Sequence, residues 1–200
     1  GAFHEPGSKN LSSGRLTNDP IMTTTHHKLT YNELRLFPDD GMRHELVDGR
    51  HYMNPAPSPQ HQKVSRRIQF QLYMQIELPG QGQVIDAPID VQLTPSDVVQ
   101  PDLVVVLNDR PIITDTRIVG VPNLLVEILS PSNPHHDREL KFRLYQQHQV
   151  DEYWIVDPFE ETVEQYVIEA AGYRQLPAAD VLVCRALPDD VSVDFREVWQ

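Results

Sequence analysis

Two apolar stretches constrain this chain more than any other feature. They are Gln100-Pro101-Asp102-Leu103-Val104-Val105-Val106 and Leu124-Leu125-Val126-Glu127-Ile128-Leu129, and each has the pattern of a buried strand that carries one carboxylate. An ionised carboxylate among apolar side chains is unfavourable unless a cation, a partner or a chemical role compensates it. Pro101 marks a strand start, because proline cannot donate to a sheet ladder. In the second stretch Leu125, Glu127 and Leu129 share one face, and Leu124, Val126 and Ile128 share the other.

The flanking sequence says what could surround that pair. Thr30 to Leu34 predicts a short helix, with Thr30 as N-cap and Glu33 in the capping-box position. His44 to Val47 and Arg50 to Met53 flank Asp48-Gly49, a two-residue hairpin turn. After Pro55, Pro57 and Pro59 a helix is expected from about Gln60 to Leu78. Val64, Ile68, Leu72 and Ile76 form its buried stripe, and His61 extends that stripe by a turn toward the N-terminus. A second stripe, Arg66, Phe70, Tyr73 and Met74, predicts packing against a further element or a second subunit, and hence a homodimer.

Gln83 to Leu93 alternates and predicts one half-buried strand, and a turn at Thr94 to Asp97 leads into the Asp102 strand, which ends at Leu107 and is followed by an irregular stretch to Gly120. Asn133 as N-cap and Pro134 at the first helical position predict another helix, with Asp137, Lys141 and Tyr145 along one stripe. Glu152 to Val156, Glu164 to Val167 and Tyr173 to Leu176 read as strands, and the remainder as edge strand and loop. This order gives an α+β fold, a mixed central sheet flanked by helices.

Several residues admit both a chemical and a structural role. Asp102 and Glu127 suit a hard divalent cation, since Mg²⁺ takes one or two carboxylates and keeps water and phosphate in its other positions. Alternatively, Asp102 caps the turn at Pro101 and Glu127 pairs with an arginine. Lys141 either positions an attacking water and offsets phosphate charge, or forms an i,i+4 pair with Asp137 worth about 0.2–0.5 kcal/mol. His61 is either a hydrogen-bonded core histidine or a site residue, and Glu45 either an exposed hairpin glutamate or a site residue.

Composition narrows the partners. The formal net charge of −12 in 200 residues argues against nucleic acid as a partner; Lys63, Arg66 and Arg67, and Arg138, Lys141 and Arg143, make two helices locally basic, which on charge alone reads as ordinary solvated helix faces. Cys184 is the only cysteine, which excludes an intrachain disulfide framework and a cysteine-rich zinc site. No run of apolar residues is long enough to span a membrane, and residues 1–29 lack an apolar signal region, so a cytoplasmic protein is expected, with 1–29 a flexible leader and 30–200 one domain. Gly-rich phosphate loops, Gly-x-Ser-x-Gly elbows and His-Glu-x-x-His zinc motifs are absent.

The motifs in their order resemble a family. Pro101-Asp102, Glu127 in the next strand and a nearby Lys141 look like the PD-(D/E)xK nuclease superfamily. Glu45-x-x-x-Gly49, Pro57-x-Pro59-x-His61, Val126 to Ser132, Asp137-x-x-x-Lys141-x-x-x-Tyr145 and Glu152 to Pro158 resemble more closely the Uma-type restriction endonucleases, long catalogued as a domain of unknown function. The likeness covers about residues 28–176. It implies a restriction-endonuclease-like fold, Mg²⁺ (or Mn²⁺) held by Asp102 and Glu127, and Glu45 at the position of the early acidic residue. Leu129 stands where the basic pattern has its lysine, so Lys141 must serve from the helix. The expected function is metal-dependent hydrolysis of DNA, with Glu45, His61, Asp102, Glu127 and Lys141 in the site. The competing expectation is a dimeric binding module that keeps the fold without catalysis, which a solvent-facing Lys141 would favour.

Overall fold

Pro101 and Pro122 open the two carboxylate-bearing strands, and in the computed structural model these strands lie side by side. Residues 27–54, 56–131, 136–188 and 190–200 are described. Most of the leader, and the Asn133-Pro134 helix start, lie outside them.

In chain order the elements are α1 (Tyr31–Leu34), the hairpin β1 (Arg43–Val47) and β2 (Arg50–Asn54), then α2 (Pro59–Leu72), which continues as a π-helical turn over Tyr73–Glu77. Next come β3 (Gly82–Asp86), β4 (Val91–Thr94), β5 (Asp97–Val99), β6 (Leu103–Leu107), β7 (Ile118–Val119) and β8 (Leu124–Ile128). After α3 (His136–Gln147) follow β9 (Glu152–Asp157), β10 (Thr162–Glu169), β11 (Gly172–Gln175), β12 (Val181–Val183), β13 (Ser192–Asp194) and α4 (Phe195–Trp199).

A six-stranded mixed sheet, ordered β11-β10-β9-β8-β6-β3, forms the centre; β8 and β9 run parallel and its other pairs antiparallel. Both of its faces are covered. Val64, Ile68, Leu72 and Ile76 of α2 and its π turn, with Phe195 and Val198 of α4, pack on the face presenting Leu103, Val105, Leu124, Val126 and Trp154. Tyr145 and Leu144 of α3, with Val47, Val91 and Val99 of a second sheet, pack on the face presenting Val104, Val106, Leu125 and Tyr153. Burial on both sides explains why β6 and β8 are nearly continuous apolar runs. The second sheet is five-stranded, β2-β1-β5-β4-β7.

Local chemistry accounts for the elements. Thr30 and Glu33 make the expected capping box of α1. Ser58 caps α2 by accepting from His61 N, with Pro59 next to it. The buried residues 64, 68, 72 and 76 recur every four positions, which in a pure α-helix drifts by about 40° per step. The wider π turn at Tyr73–Glu77 returns Ile76 to the buried line. Asp48 (φ 50°) and Gly49 (φ 71°) form the hairpin turn, where an added Cβ at Gly49 would come within 2.5 Å of Lys28.

Three expectations need correction. The alternating run Gln83–Leu93 is two strands in two sheets, β3 beside β6 and β4 beside β5, because Pro88 has no donor to carry a ladder across the gap. Its alternation nevertheless holds: Ile85, Ile89 and Leu93 pack in one cluster and Val84 in the other. The stretch up to Gly120 contains β7, which pairs parallel with β4. The expected C-terminal strands form, β12 pairing with β13, but the residues that follow, Phe195–Trp199, are a helix and not loop. Asp194 caps α4 by accepting from Arg196 N, and Lys63 and Arg67 donate to the carbonyls of Gln200 and Val198, where a helix end favours cations.

Candidate active site

β6 and β8 are antiparallel, with Leu103 opposite Val126. One more step of that register puts Asp102 opposite Glu127, so both carboxylates emerge on neighbouring strands at the same end of the sheet. Asp102 is 4% exposed. Its Oδ2 accepts from the backbone N of Ile128 at 2.7 Å and lies 3.0 Å from His61 Nε2, and its Oδ1 accepts from Arg43 Nη1 at 2.6 Å. Burial alone would push the Asp102 carboxyl up, but His61 and Arg43 hold it below the ordinary carboxylate range.

Glu127 meets a different set of donors. Its Oε1 accepts from Lys141 Nζ at 3.0 Å and from the Tyr145 hydroxyl at 2.6 Å, both on α3. Lys141 also donates to Glu45 Oε1 at 2.7 Å, and that residue comes from β1 of the other sheet. Glu45 is fixed in turn by Gln100 N (2.6 Å) and Asn54 Nδ2 (2.7 Å). Burial pushes Glu127 up to about 7; Lys141 opposes the shift, and Asp102 and Glu45 add to it. Burial would lower Lys141, but Glu127 and Glu45 together more than offset it and raise the ammonium's pKa. Lys141 is therefore a fixed cation at neutral pH.

The structure thus brings together all five residues singled out in the sequence: Glu45, His61, Asp102, Glu127 and Lys141. Four of them line one cavity, His61, Asp102, Glu127 and Lys141, together with Arg43 and Arg138. His61 is buried and faces Asp102; its Nδ1 has no hydrogen-bond partner among the described residues. The alternatives fare differently: His61 is a buried, paired histidine, as its structural reading has it, while those for Asp102, Glu127 and Glu45 do not describe this geometry. The arginine pairs with Asp102 rather than Glu127, and Lys141 spends its charge on Glu127 and Glu45; the side chain of Asp137 lies outside the described residues. The sequence reading missed Arg43 and gave Tyr145 no role in the site. Arg43 stands two residues before Glu45 on one strand, so the period of two already put both on the same face.

The donor set limits which metal the site could take. Among the described residues no cluster of three or more His, Cys, Asp or Glu is arranged to hold an ion, so a protein-enclosed transition-metal centre does not fit. Two carboxylates do fit Mg²⁺, which keeps most of its sphere for water and phosphate. A carboxylate has about four acceptor positions. Asp102 uses three, on Arg43, Ile128 N and His61, and Glu127 two, so each retains capacity. Once Glu127 is ionised, three carboxylates against the fixed cations Arg43 and Lys141 leave one negative charge in excess.

Comparison with known proteins agrees with this architecture. The family described as "Uma2: Putative restriction endonuclease" matches residues 30–196. An uncharacterized protein of Synechocystis sp. is 30% identical over 104 residues, 52% of this chain and 54% of the relative. The chain therefore spans about half the length of that curated relative. The crystal structure of a "putative nuclease belonging to DUF820" from Anabaena variabilis shares the fold, with a TM-score of 0.69 over 86% of this chain and 97% of that one, at 18% identity.

Proposed function

The chain belongs to the Uma2 family of restriction-endonuclease-like proteins, and from that premise and the geometry above we propose that it is a Mg²⁺-dependent endonuclease that hydrolyses phosphodiester bonds of DNA. One observation carries the proposal. Lys141, displaced to α3, has its ammonium 3.0 Å from Glu127, and both line the cavity that Asp102 lines. This placement supports catalysis over a binding module that merely keeps the fold.

Asp102 and Glu127 would hold the ion, with Mn²⁺ as a substitute. When bound, such an ion lowers the pKa of its water and stabilises charge on the phosphate. The chain's own residues do the rest. Lys141 does not act as a general base, because its neighbours keep it protonated; its third N–H orients the attacking water, and its charge faces the phosphate. Glu45 and Glu127 take the other two N–H groups and so fix where the third points. Arg43 holds Asp102 at the cavity wall, and its guanidinium adds a second cation facing the substrate's negative charge. His61 fixes the other oxygen of Asp102, and its ring lines the cavity.

The test is a cleavage assay on varied DNA and RNA with Mg²⁺ or Mn²⁺, beside Glu127→Gln. DNA cleavage is expected with the metal, none with EDTA, and at least a hundredfold less with the variant at unchanged fold. Wild-type rates in Glu127→Gln would sink the proposal, and cleavage of RNA alone would correct its substrate.

A further inference from the structure

The face of α2 that turns away from the core leads out of the cavity. Gln62, Arg66, Phe70 and Met74 follow at four-residue spacing and, with Tyr73, are exposed; Phe70 keeps 63% of its surface in solvent. This stripe begins beside His61. Arg66 lines a depression together with Arg43, His61, Asp102 and Asp86, the last of which accepts from Gln69 Nε2; Arg43, His61 and Asp102 also line the cavity of Glu127 and Lys141, so the two hollows share a wall. The other cations of the helix are engaged, Lys63 with Gln200 O and Arg67 with Val198 O. Arg66 has no ion-pair or hydrogen-bond partner among the described residues.

We propose that this stripe seats a single-stranded segment of nucleic acid flanking the cleaved bond, with Arg66 on a phosphate and Phe70 against the face of an unpaired base. The proposal rests on the nuclease reading and adds the form of its substrate. Along the helix axis Arg66 lies about 7.5 Å and Phe70 about 13.5 Å beyond His61. That is a span of roughly two to four stacked nucleotides at about 3.4 Å each. An exposed ring next to an unpaired guanidinium is how sequence-tolerant single-strand sites hold bases and backbone, whereas in a duplex the base faces are already stacked. A free cation beside exposed rings also suits a chain whose net charge of −12 disfavours a broad duplex footprint. A second copy of the chain fits less well: an isologous contact would lay the stripe on itself and bring Arg66 of both copies into one interface, with Glu197 beside it.

The experiment uses the Glu127→Gln protein, so that binding is read without cleavage, and follows the anisotropy of a short fluorescein-labelled DNA strand and of its duplex. The single strand should bind more tightly than the duplex. Phe70→Ala should weaken it about tenfold. Arg66→Ala should weaken it several-fold and reduce the salt slope by about 0.7. Both side chains are exposed, so circular dichroism should be unchanged. If the Glu127→Gln protein binds the strand but both further variants bind it equally well, the track lies elsewhere and this inference falls alone. If it binds no oligonucleotide, the nuclease reading falls with it. A dimer in sedimentation that Phe70→Ala breaks, with strand affinity unchanged, would give the face to a second copy and overturn the assignment.

Discussion

Glu127 shows what a residue gives up by standing in such a site. Its carboxyl titrates near 7 instead of its ordinary 4.5, because burial and the charges of Asp102 and Glu45 outweigh the attraction of Lys141. A raised carboxylate favours the fold while it is protonated. That contribution is whole below about pH 4.5 and is lost as the pH climbs through about 7. Glu127→Gln cannot ionise. In EDTA its stability relative to the wild type should therefore rise between pH 5 and 8, at no more than ~1.4 kcal/mol per pH unit. Thermal melts of both proteins at the two pH values check this; parallel pH profiles would show that Glu127 ionises normally. The carboxylate itself was legible in the sequence, since a charge between apolar neighbours is an anomaly at any reading. Its partners were less so. Lys141 and Tyr145 stood out by four-residue spacing, whereas Arg43, 59 positions from Asp102, is joined to it by sheet packing that no local pattern records.

At the scale of elements, Glu152 carries a comparable lesson without any cation. It opens β9, is fully buried, and accepts from Trp154 Nε1 (2.7 Å), Gln165 Nε2 (2.6 Å) and the backbone N–H groups of Arg185 (2.6 Å) and Ala186 (2.8 Å). One side chain thereby ties the central sheet to the segment after β12. Glu152→Ala leaves four donors short of an acceptor and should cost about 3 kcal/mol or more. Chemical denaturation measures the loss, and hydrogen exchange should show the Arg185 and Ala186 amides losing protection; a change below about 1 kcal/mol with protection intact would contradict the clamp. The sequence marked Glu152 to Val156 as a strand from its apolar run, yet the two backbone N–H groups that Glu152 holds lie 33 and 34 residues away. For a similar reason α4 escaped notice: five residues are too short for a period, and what holds them is packing on α2.

At the scale of the molecule, the site lies where the two sheets meet. Asp102 and Glu127 belong to the six-stranded sheet, Glu45 to the five-stranded one, and Lys141 on α3 bonds across from Glu45 to Glu127. Alternation and turn chemistry predicted most strands and the helices α1, α2 and α3, but not β5, β7 or α4, nor the division into two sheets, because the run from Gln83 to Leu93 keeps one phase through the break. On the proposed mechanism Glu45 would act as a positioning residue, through its bond to Lys141 across the seam. Glu45→Gln removes one of the two carboxylates that hold the Lys141 ammonium, which stays charged but is no longer fixed between them. Catalysis is sensitive to misplacement on the ångström scale, so kcat should fall about 10- to 100-fold while KM changes far less. Glu45 is also one of the two charges that raise Lys141, so the variant should lose activity on the alkaline side at a lower pH than the wild type. Steady-state kinetics across pH separate this from a merely structural role, which would leave the alkaline limb in place. An unchanged kcat would detach Glu45 from the chemistry and leave it as a tie between sheets.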